Sequence, residues 1–164
     1  MLAVATLVFG LAVPLAGRDA ERGLAARDAV AIAAAGASTP YRRVVLLVRD
    51  TARHIGNPHE DEARDDAETP QSAARALDLL ARAHAQGVLG GLRGNVALAM
   101  RAAAARDRIV FVPLVPSEPQ PHPSVTFAQQ FRQRAGALPT PEAYEAYLTA
   151  RDSLARLIRA MPSR

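Results

Sequence analysis

Three stretches of this chain are apolar at almost every position: residues 4–13, residues 43–48 (RVVLLV) and residues 109–115 (IVFVPLV), with a shorter one at residues 88–91. A strand that is apolar on both sides must be covered above and below, which is the situation of a parallel sheet between two layers of helices. The intervening segments supply those helices. Residues 20–35 carry Leu24, Ala31 and Ile32 as core candidates, with Gly36 placed for a left-handed C-cap. Thr69 and Pro70 open a second helix in which Ala73, Leu77, Leu80 and His84 recur at helical spacing until Gly87 ends it. Asn95 offers a side-chain cap for a third, running to about Asp107. The alternation predicts an α/β fold of three layers: a doubly wound, mainly parallel sheet of about four strands in the order 2-1-3-4.

The alternation stops at a proline-rich stretch. Residues 113–123 (PLVPSEPQPHP) hold five prolines, which deny the backbone regular hydrogen bonding and mark a linker. Beyond it, Ser124 caps a helix carrying Phe127 and Phe131 at i and i+4 and ending at Gly136. Thr140 and Pro141 open a last helix with Tyr144, Tyr147, Leu148, Leu154, Ala155 and Ile158 on one stripe. These two C-terminal helices are expected to pack on the sheet rather than extend it. Residues 1–164 make a single domain at the usual domain size.

Several functions are set aside by composition and spacing. With no cysteine, disulfides and thiolate metal sites are impossible. The 20 basic residues are all arginines, scattered along the chain and largely offset by 16 acids, and the few aromatics are not interleaved with them, so no nucleic-acid partner is expected. The serines lack a nucleophile-elbow context, and GVLGGLRG at residues 87–94 fits neither the dinucleotide nor the triphosphate loop, so the chain reads as a non-enzyme without cofactor. Residues 54–68 (HIGNPHEDEARDDAE) gather His54 and His59 with a run of carboxylates but show no ligand spacing, and read as a flexible acidic loop rather than a metal site. Taken more widely, from Leu2 to Ala16, the opening run admits a second reading, as the hydrophobic stretch of a signal peptide. No basic residue precedes it, Pro14 interrupts it, and it falls short of the roughly 20 residues that span a bilayer. A buried strand is the preferred reading, and with it no export signal is evident.

A resemblance now rests on particular blocks. They are FGLAVPLAG (residues 9–17) followed by a helix with Gly23, VVLLVRD (residues 44–50), QGVLGG (residues 86–91) followed by VALA (residues 96–99), and the late FAQQFRQRAGALPTP (residues 127–141) with YEAY (residues 144–147) and RDSLA (residues 151–155). In that order and spacing they resemble the early strands and late helices of type I periplasmic solute-binding proteins, the leucine/branched-chain amino-acid receptor family of ABC transporters. The blocks cover most of the chain apart from about residues 52–69 and 116–123. In that family two similar lobes close on a solute. Here the linker at residues 116–123 stands where the second lobe would be inserted, so the resemblance implies one lobe with its partner lobe missing. It further implies a reduced or degenerate solute-binding component of an ABC-type amino-acid transport system. Such a component would be periplasmic and would partner a small solute (an amino acid or small carboxylate) and an ABC permease. The alternative is a protein-interaction module that homodimerises through surface uncovered by loss of the second lobe.

Ligands of open parallel sheets sit beyond the carboxyl ends of the strands, near helix N-termini. That rim should include Arg18 and Asp19 after the first strand, residues 93–95 after the third, and Ser117 and Glu118 after the fourth. The resemblance aligns Asn95 with a ligand-binding hydroxyl position and brings Ser117 within about a residue of another. A helix cap and a turn residue are the plainer roles for these two. The ligand-binding candidates are therefore Arg18, Asn95, Ser117 and Glu118.

Overall fold

The structure is a computed structural model that describes residues 4–53 and 67–161. Its elements, in chain order, are β1 (Ala5–Val13), a short 3-10 turn (Gly17–Asp19), α1 (Ala20–Ala37), β2 (Arg42–Asp50), β3 (Ala52–Arg53), β4 (Ala67–Glu68), α2 (Pro70–Arg82), β5 (Val88–Gly90), α3 (Gly94–Asp107), β6 (Phe111–Pro113), α4 (Val125–Ala135) and α5 (Pro141–Ala160). The main sheet is fully parallel in the order β2-β1-β5-β6, so its strands stand in the predicted order of second, first, third and fourth. The short β3 and β4 pair antiparallel beside it.

The opening apolar run is thus one of the two inner strands of the sheet, and its alternation decides which helices lie where. Phe9, Leu11 and Val13 are fully buried in the core that includes α1, α4 and α5. Ala12 belongs to the opposite core, with Leu77 and Leu80 of α2 and Val96 and Met100 of α3. Gly10 faces that side too. A Cβ there would meet Leu80 Cδ1 at 2.9 Å and Val88 Cγ2 at 3.0 Å, so glycine is what lets α2 lie this close to the sheet. Large residues on one face of β1 and small ones on the other give the two helical layers different depths.

Hydroxyl caps start three helices as their sequences predict. Thr69 accepts from Ser72 N in a capping box, Ser124 from Phe127 N and Thr140 from Ala143 N. Phe127 and Phe131 are buried, and Phe127 lies against Tyr144 and Tyr147 with ring centroids 5.0 and 4.7 Å away.

Three expectations need correction. Gly36 is not a left-handed cap, because α1 runs on to Ala37 and closes through Ser38, whose hydroxyl donates to Ala34 O. Helix α2 stops at Arg82 rather than Gly87. His84 leaves the helix face and takes the left-handed conformation (φ 59°), with its N–H on Ala81 O and the next N–H, that of Ala85, on Leu80 O, the paired bonds of a Schellman end. The buried stripe of α5 is Ala143, Ala146, Ala150, Ser153 and Leu154 rather than the one drawn through Leu148 and Ala155. Those alanines share a core with Ala26, Ala29 and Ala33 of α1, and small side chains allow the two helices to approach closely. Among the described residues no helix is long and apolar enough to cross a membrane.

Candidate functional site

Because the four strands of the main sheet run parallel, their carboxyl ends share one edge, and the loops leaving that edge build the site. Asp50, the last residue of β2, ties two of them together: its Oδ1 accepts from Leu15 N at 2.8 Å and from Ala52 N at 2.9 Å. Thr51 follows, fully buried, with its N–H on Val13 O at 3.1 Å. Its hydroxyl donates to Glu68 Oε1 at 2.5 Å, and its carbonyl accepts from Ser72 Oγ at 2.7 Å. The start of α2 is thereby pinned to the end of β2.

Arg93, the residue before α3, joins this group from the other side of β1. Its Nη2 donates to Glu68 O at 2.5 Å and lies 3.2 Å from Asp19 Oδ2, and its Nε stands 3.7 Å from Glu68 Oε2. One guanidinium therefore links the turn after β1, strand β4 and the start of α3. The Glu68 side chain is only 1% exposed while that of Arg93 is 37% exposed, so the cation reaches the surface and the acid does not. Burial pushes the Glu68 carboxyl above the usual carboxylate range. The Thr51 hydroxyl and Arg93 pull it back, Asp19 adds to the rise, and Arg22 opposes it.

The rim residues singled out in the sequence have unequal fates. Asp19 and Arg93 are brought together. Asn95 does not cap α3: that position falls to Arg93, which makes no side-chain cap bond, while Asn95 lies exposed in the first turn and accepts from Val96 N at 2.9 Å. The displacement follows from Gly91 (φ 70°), packed so closely on the helix start that a Cβ would stand 2.9 Å from Ala97 Cα. Arg18 is exposed in the 3-10 turn. Ser117 and Glu118 are also exposed, and Ser117 N donates to Glu145 Oε1 of α5 at 2.8 Å.

Sequence reasoning missed Asp50, Thr51 and Glu68. It placed Glu68 in a flexible acidic loop, whereas this residue is paired in β4 and buried; the available signal was its position directly before the Thr69-Pro70 helix start. His54, His59 and the rest of residues 54–66 lie outside the described residues. Among the described residues no group of three or more His, Asp or Glu side chains is placed to hold a metal ion.

At this edge the space bounded by Leu92, Leu114, Pro116 and Arg22 measures about 20 Å³, room for one water. A site that encloses a small ligand is usually some 300–1,000 Å³. The edge thus offers a wall with a cation and one buried acid, Glu68, behind it, beside an open depression of about 320 Å³ lined by Gly94, Leu98, Pro113 and Val115, rather than a closed pocket.

No protein-family model matches the sequence, and no curated protein is similar to it by sequence. Solved structures do match in fold. A possible leucine/isoleucine/valine-binding protein from Rhodopirellula baltica aligns over 68% of this chain with 21% identity and a TM-score of 0.53. A branched-chain amino acid transporter substrate binding protein from Streptococcus pneumoniae, solved in complex with isoleucine, aligns over 70% with 15% identity and a TM-score of 0.51. A solute binding protein of an ABC transporter from R. palustris, in complex with 4-hydroxybenzoate, aligns over 91% with 12% identity and a TM-score of 0.51. The chain spans 27%, 30% and 44% of these three structures. Its fold is that of part of a type I periplasmic binding protein.

Proposed function

We propose that the chain is a reduced solute-binding component of an ABC-type system, contacting a small polar solute, an amino acid or small carboxylate, at the carboxyl edge of its sheet. The observation that carries this reading is the coincidence of a binding-protein fold with an edge where Arg93 reaches solvent beside the start of α3. Arg18, Asn95, Ser117 and Glu118 supply the remaining polar contacts, and residues 116–123 mark the point at which the relatives' second lobe is inserted. With half of the enclosing wall absent, binding is weak. The likeness in fold to ABC transporter substrate-binding proteins supports extending the reading to a periplasmic location and an ABC permease as partner. The test is a thermal-shift panel of leucine, isoleucine, valine and small carboxylates: a ligand at 100 times its Kd raises stability by about 2.7 kcal/mol. Replacing Asn95 with Ala should reduce any such shift without lowering the unliganded Tm by much, since among the described residues the Asn95 side chain bonds only its neighbour's amide. Silence across the panel contradicts the reading.

A second reading, a homodimer, draws on the open edge of the sheet. Leu98, Val110 and Val115 are 66%, 48% and 41% exposed beside β6. Val88 N donates to Val110 O and Leu114 N to Gly90 O, so the even-numbered residues of β6 face β5 and Pro113 faces outward, where it has no N–H to offer a further strand. Contact between copies would therefore run through side chains of α3 and β6. Light scattering across a concentration series decides it: a dimer that Leu98→Glu dissolves supports this reading, and a monomer at all concentrations ends it.

A further inference from the structure

We infer that Glu68 sets the charge class of the solute taken at the carboxyl edge: the edge accepts a small organic anion, and Glu68 takes up a proton as the anion arrives. The inference rests on the solute contact proposed for Arg93 and adds to it a proton, held by a residue that does not itself touch the solute.

One cation is shared unevenly between two acids. Arg93 Nη2 donates to Glu68 O at 2.5 Å and stands 3.2 Å from Asp19 Oδ2, whereas its Nε stops 3.7 Å from Glu68 Oε2, beyond hydrogen-bond reach. These two facing atoms, Arg93 Nε and Glu68 Oε2, are both buried and have no hydrogen-bond partner among the described residues. The Glu68 carboxyl is thus bonded on one side only, through Oε1 to the Thr51 hydroxyl. With its side chain 1% exposed, it lacks the bonds that hold a buried acid ionised. A proton added at Oε2 removes its charge without breaking the Thr51 bond. Burial already pushes the group above the ordinary carboxylate range.

The surrounding charges decide how an anion and that proton affect each other. Those acting on Glu68 come from three elements: Arg93 before α3, Asp19 of the 3-10 turn and Arg22 of α1. Arg22 is engaged with Glu142 at 2.8 Å, and Asp50 at the end of β2 is held on Leu15 N and Ala52 N. With Asp19 and Glu68 both ionised, Arg93 is outnumbered, and an anion reaching its exposed end meets a group of net negative charge. With Glu68 neutral, Arg93 and Asp19 balance, and the exposed part of the guanidinium takes a carboxylate without that repulsion. Each event therefore favours the other by the same factor. The bound anion raises the Glu68 pKa further. Affinity is thus greatest below the free-state value and falls by up to about tenfold per pH unit as pH climbs from the free-state to the bound-state value.

The test is a calorimetric titration of the full chain with benzoate from about pH 5.5 to about pH 8, in two buffers of different ionisation heat so that protons taken up are counted. Backbone NMR at residues 91–96 locates the binding. The expected result is uptake of up to about one proton per benzoate, with Kd at least about tenfold larger at the upper pH than at the lower. Glu68→Gln, which has the same shape and no proton to take up, should bind benzoate with an affinity that does not change over this range. In the parent, the ¹³C signal of the Glu68 carboxyl should titrate at higher pH with benzoate than without it, a measurement that stands even if the variant fails to fold. Edge binding indifferent to pH, a pH dependence that survives in Glu68→Gln, or an unmoved Glu68 titration would each overturn the role of Glu68 while leaving solute binding intact. No binding at any pH would overturn both.

Discussion

Two glycines of α1 should respond to the same substitution with opposite signs. An ideal Cβ at Gly23 would lie 1.6 Å from Pro14 O and 2.6 Å from Pro14 C, because the helix rests directly on the turn that leaves β1. A carbon needs about 3.3 Å from a carbonyl oxygen, so Gly23→Ala must separate helix and turn by roughly 1.7 Å. The obstacle is backbone and cannot rotate aside. Overpacking of this kind costs about 3 kcal/mol at the upper end of its usual range, and alanine's advantage over glycine within a helix returns up to about 1 kcal/mol. The net loss is therefore about 2 kcal/mol, a fall in Tm of roughly 4–8 °C for a chain of this size. At Gly36, in the last turn of the same helix, nothing lies within 4 Å of the added carbon. Gly36→Ala should therefore raise stability by about 0.5 kcal/mol, or roughly 1–2 °C. Thermal unfolding followed by circular dichroism measures both. A Gly23→Ala protein as stable as the parent would refute the packing of α1 on the β1 turn.

Other substitutions probe separate parts of the fold. Phe127→Ala removes the ring shared by α4 and α5 and should cost about 3–5 kcal/mol in urea unfolding; a loss under 1 kcal/mol would mean that these helices do not complete the core. His84→Gly relieves a left-handed residue at the end of α2 and should add about 1 kcal/mol, with no change expected of Gly87 as a helix stop. Glu68 gives a pH signature. Its folded-state pKa is raised, so the folded protein holds the proton more tightly than the unfolded chain, and the associated stability is present below about pH 4.5 and is lost as pH rises through the folded value. Glu68→Gln should remove that dependence, so the variant gains on the parent between pH 4 and pH 8 in urea titrations. Parallel curves for the two proteins would contradict the burial of an ionisable Glu68.

Much of the architecture was readable because it depends on features with a single physical meaning. A run apolar on both faces, such as RVVLLV, asks for cover on both sides, and β2 is half-buried against both cores; Thr69, Ser124 and Thr140, standing before amphipathic or proline-led segments, marked the starts of α2, α4 and α5. Phase was legible only where side chains differ in size. In α1 and α5 alanine occupies nearly every face, so the sequence offers little contrast by which to choose the buried one; Tyr144, Tyr147, Leu154 and Ile158 do reach the core, but Leu148 and Ala155 drew the stripe away from the buried alanines. The site was less legible still. Arg93 and Asp19 could be assigned to one edge from topology alone, but the Thr51–Glu68 bond joins residues 17 apart across β3 and β4, two strands of two residues each. No periodicity announces a strand that short. The cap of α3 was placed two residues too late, at Asn95 instead of Arg93, because the contact that fixes the start of α3, Gly91 against Ala97, is a matter of backbone approach rather than residue type.

A single titration bears most directly on solute recognition at the sheet edge: ¹⁵N-labelled full chain with isoleucine and, separately, with benzoate, followed residue by residue. Saturable shifts should concentrate in the backbone amides of residues 91–96 and 15–18, where α3 begins and β1 ends. Shifts that fail to saturate, or that arise only along the outer faces of α1, α4 and α5, would contradict solute binding at that edge.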